Sequence, residues 1–497
     1  MAGRTKFADL VVVVPGILGS RLLHHGTPLW GDESPNFLQW VRTHRHDLAH
    51  LTVGADDPTL EDLGDGVSPD GLVDGPFVAG RFVKLGGYAE LSRALQKRFG
   101  LRLGENLQHF SYDWRRDLRV AARRLAIKAE GWLQSWRAHS GNPHAKIVLV
   151  CHAMGGLVGR AFADLEAGWP AVRTIVTIGT PFQGSLGALD LLYFGLDFQR
   201  YGLPLHDLTP VARTLTSLYQ MLPHYPAIRT FAGESVSPFD IRIPTFENQK
   251  IDRARQFHRD LVDHHQRNRT KPGYAEVRSR SIVGIGQPTA ETCRLLGNGT
   301  LEIENGGESP EADGDGIVPR FSAEAPSSTG YAGQWIYVPQ SHGMLLFDPV
   351  VHAHVCATIA EDGEPLAAPL PRFTIRRTME DRVRIDPDAL SISVARPFYK
   401  IGQPVEIVVC ARSAGGPPRT APAMRVSVRV EQIRHIQARM AAKAVRTTPD
   451  RRLPGRWTAS FRAPAPGTYR VTVTSSHRLL SPFRVSDLFE VDTTQDR

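Results

Sequence analysis

Cys151-His152-Ala153-Met154-Gly155-Gly156 follows the apolar run Lys146–Cys151 and precedes the helix-compatible Leu157-Val-Gly-Arg-Ala-Phe162. Small residues at both ends of such a pentapeptide let a strand and a helix approach closely and force the central residue to the tip of a sharp turn. A serine there attacks an acyl carbonyl, and the N–H of the next residue faces the developing oxyanion. Here the centre is Ala153, so the nucleophile is missing, while Met154 keeps the N–H. The other parts of acyl-transfer chemistry follow in the required order, acid before base. Asp313-Gly-Asp315-Gly-Ile-Val-Pro319 comes after the run Arg280–Ile285, and Gln340-Ser-His342-Gly343 comes after Trp335–Pro339. An acid holds the histidine tautomer, and the histidine takes a proton from the nucleophile. A second oxyanion donor fits Pro15-Gly16-Ile17-Leu18-Gly19-Ser20, where glycines permit a tight turn and expose the N–H of Ile17.

These loops need elements to hold them. Leu10–Val14, Lys146–Cys151 and Arg173–Gly179 are continuous apolar, β-branched runs of the kind that form buried parallel strands, and 280–285 and 335–339 fit two more. Leu118, Ala122, Leu125, Ala129, Trp132 and Trp136 share one helical face between the first two runs. Alternation of strand and helix predicts an α/β fold with a mainly parallel sheet. Leu186–Phe198 and Leu208–Phe231 read as helices of a cap inserted over about 185–280, and 26–80 as a loop-dominated excursion. Beyond residue 370 the pattern changes to short alternating runs with turn residues such as Pro464-Ala-Pro-Gly467, which predicts an immunoglobulin-like β-sandwich. The expected division is an α/β domain at 1–370, a Pro- and Arg-rich linker at 371–388 and a sandwich at 389–497.

A chain of 497 residues suits two or three domains. Its four cysteines stand far apart without a CxxC pair, which argues against a disulfide framework or a zinc ribbon. The apolar run near Met1 is too short for a signal peptide or a membrane span, so the expectation is a cytoplasmic protein, peripheral at a membrane if its substrate requires it. The net charge of +8 favours anionic surfaces without choosing among them, and no aromatic-interleaved basic motif supports nucleic-acid binding.

Together, Val11–Arg21, Tyr112-Asp-Trp-Arg115, the turn at 151–155, Gly179–Ser185, Gly314–Pro319 and His342 resemble the lecithin:cholesterol acyltransferase and lysosomal phospholipase family over about 8–360. The resemblance implies the α/β-hydrolase fold and a lipase, phospholipase or lipid acyltransferase working through an acyl-enzyme without cofactor or metal. It carries Asp315 over as acid, His342 as base and the amides of Ile17 and Met154 as the oxyanion hole. The family's serine falls on Ala153, and its usual threonine falls on Ile317. The implied substrate is an acyl lipid, a phospholipid at a membrane surface, with the sandwich available to a protein partner or to the hydrolase itself.

Ala153 leaves two readings open: a serine-to-alanine form of an active enzyme, or a natural pseudoenzyme that binds lipid or serves as a scaffold. Cys151 as a substitute nucleophile is disfavoured because it ends a strand and points into the core. Asp313 and Asp315 do not begin an EF-hand, since Ile317 and Val318 occupy its fifth and sixth positions. His24-His25 and His44/His46 read as loop histidines rather than metal ligands. His152 reads as a packing residue, and Tyr112–Arg115 as a buried strand end with an Asp113–Arg115 pair. The basic residues Arg115, Arg116, Arg119, Arg123, Arg124, Lys128 and Arg137 are expected on a solvated helix face.

Overall fold

The computed structural model describes residues 7–492 except 32–36, 45–46, 74, 76, 79–83, 197, 199–202, 204, 206, 299, 304–312, 326–333, 361–375, 378–388, 413–424, 435–437, 440–441, 451–452, 454 and 477–483. His46 and, apart from Arg376 and Arg377, the expected linker lie outside the described residues.

Six parallel strands form the central sheet: β1 (Leu10–Val14), β2 (Leu107–His109), β3 (Ile147–His152), β4 (Val172–Ile178), β5 (Arg278–Gly284) and β6 (Gln334–Val338). A two-residue strand, β7 (Arg376–Arg377), pairs antiparallel at the edge, giving the order β7-β6-β5-β4-β3-β1-β2. β1 and β3 are buried along their whole length, which is why they read as unbroken apolar runs. Leu10, Val12 and Val14 face one core together with helices α2 (Leu118–Ser140) and α3 (Gly155–Asp164). Val11 and Val13 face the other, with α1 (Tyr88–Phe99) and α6 (Pro349–Ala360). This is the α/β-hydrolase architecture. The direction of winding reverses between β1 and β3, so the loops leaving them diverge and open a crevice at their carboxyl ends. The loops at 15–20 and 153–154 lie there.

The cap differs from its sequence pattern. Only Leu186–Tyr193 (α4) of the first expected helix is helical, and 208–231 breaks into two short helices, Thr209–Thr214 and Thr216–Tyr219, and a strand, Ile228–Arg229. Proline residues at 223 and 226 stop helix propagation. The principal cap helix is instead α5 (Asn248–Asn268). Its buried face includes His258 and His265 beside Phe257 and Leu261.

His258 meets His224 edge-on, with ring centroids 3.7 Å apart. Burial lowers His224 to about 4 and His258 well below 6.5; Arg160 disfavours charge on both, and Arg119 on His258. Both imidazoles are therefore neutral in the fold and titrate near 6.5 once unfolded. Stability is complete above pH 6.5 and falls as the pH drops toward 4, His224 alone contributing about 3 kcal/mol of loss at pH 4. Urea unfolding at stepped pH is expected to show this decline, and His224→Phe is expected to flatten it.

The C-terminal region is a β-sandwich of two sheets. One contains β8 (Ala389–Val394), β10 (Pro404–Arg412) and β12 (Arg456–Arg462); the other contains β9 (Phe398–Lys400), β11 (Arg425–Arg434), β13 (Gly467–Ser476) and β14 (Arg484–Asp492). Both are antiparallel throughout except where the short strand β9 pairs parallel with β14. Ile407, Val409, Val430, Val471, Val473 and Phe489 fill the space between them. The sandwich packs on the hydrolase: Phe398 stacks near Phe37 and Phe198, and the Glu490 carboxylate accepts the Leu38 N–H at 2.7 Å and the Phe37 N–H at 3.3 Å. Burial raises Glu490 to about 8, with Asp492 adding to the rise and Arg42 opposing it. Among the described residues, no helix is long and apolar enough to cross a membrane.

Candidate functional site

β3 runs straight into the turn, and Ala153 takes φ +48°, the left-handed region that side-chain-bearing residues avoid. The turn is pinned by Ala153 N–H to Ile178 O at 2.8 Å and by Gly156 N–H to Ala153 O at 3.0 Å. Its glycines are required by contact. A Cβ on Gly155 would lie 2.5 Å from the carbonyl oxygens of Val14 and Pro15, and one on Gly156 would lie 2.1 Å from Thr180 Oγ1. A Cβ on Gly16 would lie 2.9 Å from the Cβ of Ala153, so the loop after β1 rests directly on the tip of the turn. Among the described residues, no hydrogen bond is made to the N–H of Ile17 or of Met154.

Beside the turn, where the ring centroids of His152 and His342 are 5.2 Å apart, lies a His342–Asp315 pair. His342 Nδ1 is 2.7 Å from Asp315 Oδ2 and donates its proton to it, and the His342 N–H donates to Asp315 O at 2.8 Å. The other carboxylate oxygen accepts the N–H groups of Ile317 at 3.0 Å and Val318 at 2.7 Å. These bonds hold Asp315 as an oriented acceptor. Gly179, at φ +59°, leaves room for the pair, since a Cβ there would lie 3.1 Å from His342 Nδ1 and 3.2 Å from Asp315 Oδ2. Asp315 is 1% exposed, and Ala153 and His342 are 7% exposed. All three are thus nearly buried, and Ser185, at the start of the 185–280 insertion, donates from Oγ to Ile317 O in the Asp315 loop at 2.5 Å.

Several residues hold the loop after β1. Tyr112 Oη donates to Pro15 O at 2.8 Å, Trp114 Nε1 to Ser20 O at 3.0 Å and Trp30 Nε1 to Leu18 O at 2.8 Å. Tyr88 was not singled out from sequence, yet its Oη accepts the Gly16 N–H at 3.0 Å and lies 3.0 Å from His152 Nδ1. It is 72 residues from Gly16 and 64 from His152, and no local spacing links the three. Burial first, and His342 second, push His152 well below 6.5, so it is neutral and accepts the tyrosine proton. Tyr88→Phe is expected to strand a buried N–H and a buried ring nitrogen at a cost of about 1–3 kcal/mol, read as a lower urea midpoint at unchanged slope.

The remaining sequence readings resolve as follows. Cys151 is fully buried, and desolvation pushes its thiol far up, which suits a packing residue. His24 stacks on His50 and lies at a tilt against His25, and no group of three or more metal-ligating side chains is gathered among the described residues. Asp313 Oδ1 accepts the Gly286 N–H at 2.6 Å, so the two aspartates serve different loops. Tyr112–Arg115 is corrected from a strand end to the turn that follows β2, with Tyr112, Trp114 and Arg115 buried and Asp113 half-buried, and the expected pair is present, Arg115 Nε lying 2.9 Å from Asp113 Oδ1. The solvated basic face is corrected for Arg115 and Arg116, which precede α2 and are buried. A cavity of about 310 Å³ lined by Glu61, Asp65, Tyr112, Asp113, Arg116 and Arg124 lies against Arg116, away from His342 and Asp315.

Residues 77–287 match the family model of lecithin:cholesterol acyltransferase, which bears out the resemblance. The loop after β1, Asp315 and His342 lie outside the matched stretch. A stretch of 97 residues is 33% identical to an uncharacterised protein of Saccharomyces cerevisiae, covering 20% of this chain and only 14% of that one. Among solved structures, the propeptide form of the Bacillus licheniformis lipase BlEst2 aligns over 98% of this chain and 94% of its own at 10% identity and a TM-score of 0.34. Phospholipase PlaB from Legionella pneumophila aligns over 97% and 90% at 11% identity and a TM-score of 0.28.

Proposed function

We propose, from the premise of that family resemblance, that this fold serves acyl transfer from lipid esters through a serine at position 153, and that the chain carrying Ala153 is its silent form. The coarse activity is that of a lipid acyl hydrolase or acyltransferase. The observation that carries the finer reading is Ala153 at φ +48° beside an intact His342–Asp315 pair. A strained tip residue is costly to keep, and its use is to present a side chain to substrate.

With serine at 153, its Oγ attacks the ester carbonyl carbon while His342 Nε2 takes the hydroxyl proton. Asp315 fixes the tautomer and stabilises the imidazolium. The oxyanion is received by the N–H groups of Ile17 and Met154. The tetrahedral intermediate collapses, the C–O bond to the alcohol breaks, and His342 returns the proton to the leaving oxygen. Water, or a second alcohol, then attacks the acyl-enzyme by the same route in reverse. The closed site requires the cap to move for a lipid chain to enter, and exclusion of water beneath it decides between hydrolysis and transfer. The substrate is a glycerophospholipid presented at a membrane surface.

The test compares this chain with Ala153→Ser on mixed phospholipid vesicles, following fatty acid and lysolipid by mass spectrometry. Fatty acid from the serine form alone is expected; transfer to an added alcohol identifies an acyltransferase. A folded serine form that binds vesicles without product would overturn the reading in favour of a lipid-binding pseudoenzyme.

A further inference from the structure

The hydrolase and the sandwich are joined by buried hydrogen bonds that converge on the two loops of the acid–base pair. Ser341, which caps the short helix His342–Phe347, donates from Oγ to Ser486 O of β14 at 2.6 Å. The Ser486 N–H donates back to Gln340 Oε1 at 2.9 Å, which also accepts the Ser341 N–H at 3.0 Å. Gln340 Nε2 is held in turn by Asp348 Oδ2 at 2.8 Å. The acid loop has a matching anchor. Gln287 pairs through its backbone with Gly314 and bridges Asp315. Its side chain donates to Leu390 O of β8 at 3.1 Å and accepts the Ile392 N–H at 3.0 Å.

We propose that the sandwich positions the acid–base pair, with Gln340, Ser341 and Gln287 as the positioning residues through which β14 and β8 fix His342 and Asp315. This rests on the assignment of that pair as catalytic base and acid. Gln287 is 2% exposed, Gln340 3% and Ser486 3%. Polar groups buried this deeply must be satisfied, and the sandwich main chain partners the Gln287 side chain, Ser341 Oγ and, together with the Ser341 N–H, Gln340 Oε1. That main chain is itself locked by the ladders of β13 with β14 and of β8 with β10. The clamp therefore fixes where the loops sit and not merely that they pack. Simple docking needs only apolar contact, which Phe398 and Leu488 already supply.

The test uses the full chain in two forms. In the Ala153→Ser background, Gln340→Ala, Ser341→Ala and Gln287→Ala are assayed on a short-chain p-nitrophenyl ester, with folding checked by urea unfolding. Each is expected to lower kcat about 10- to 100-fold, as small misplacements of catalytic groups do, with KM within about twofold. Ser341→Thr, which restores a hydroxyl, is expected to recover most of the loss. In the Ala153 chain, the low-field proton resonance of the His342–Asp315 hydrogen bond is expected to broaden or vanish in the same three variants. Folded variants that keep both kcat and a sharp resonance would overturn the clamp. If Ala153→Ser is silent while the resonance is still lost, the clamp stands and the acyl-transfer assignment falls.

Discussion

Ala153→Ser is expected to raise ester turnover by about six orders of magnitude, the size of the loss that follows removal of a nucleophile from an otherwise complete triad. The reason is in what already stands around the position. Asp315 is held by the Ile317 and Val318 amides and holds His342, and among the described residues the Ile17 and Met154 amides donate no hydrogen bond. One hydroxyl is therefore all that has to be added. Serine adds a single oxygen to alanine and tolerates the same φ, so the fold is expected to accept it with a change in urea midpoint equivalent to less than about 1 kcal/mol. The measurement is single-turnover acylation by a p-nitrophenyl ester, with Asp315→Asn in the same background as control. That second change is expected to cost about 10⁴ in kcat by presenting the wrong tautomer. Acylation equally fast with asparagine at 315 would remove the pair from the mechanism.

Arg115→Met is expected to be the most destabilising of the substitutions considered, by about 3 kcal/mol, because it leaves the nearly buried Asp113 carboxylate, and the half-buried Asp65 beside it, without their cation. The Arg115 side chain is fully buried and makes four hydrogen bonds through its guanidinium. Nε and Nη2 reach Asp113 at 2.9 and 2.8 Å, Nη2 also reaches Asp65 at 2.8 Å, and Nη1 donates to His50 O at 2.9 Å. Arg115→Lys keeps the charge but not the fork and is expected to recover only part of the loss. Urea unfolding decides it, and a loss below about 1 kcal/mol would show that the carboxylates find other partners. Because Trp114 Nε1 holds Ser20 O, loosening this turn is expected to lower activity of the serine form as well.

What could be read from the sequence was what depends on neighbours in the chain. Leu10–Val14 and Ile147–His152 are buried on both faces and carry an unbroken apolar signature. The tip residue and its glycines are fixed by one tight turn, and the loops of Asp315 and His342 each follow a legible strand. The short strand Leu107–His109 has only one fully buried residue and no pattern to betray it. Helix α5 escaped notice because Lys250, His258, His265 and Asn268 occupy buried positions where apolar residues were sought. Arg115 and Arg116 looked like solvated charges because Asp65 and Asp56, their partners, lie 50 and 60 residues upstream. Tyr88, Gln340 and Gln287 act across distances in sequence that only the folded chain closes.

The bond from Ser341 to Ser486 also sets a timetable. It spans 145 residues of sequence, and at ribosomal rates of about 5–20 residues per second the second partner emerges roughly 7 to 29 seconds after the first. During that interval the hydrolase core can close its sheet and form the turn at 153, but the loop bearing the histidine has no mate. A serine form of this protein would thus be born slack and become competent only when the sandwich arrives. On the proposed function, the same seam that aligns the site after folding delays the first turnover of the serine form during synthesis.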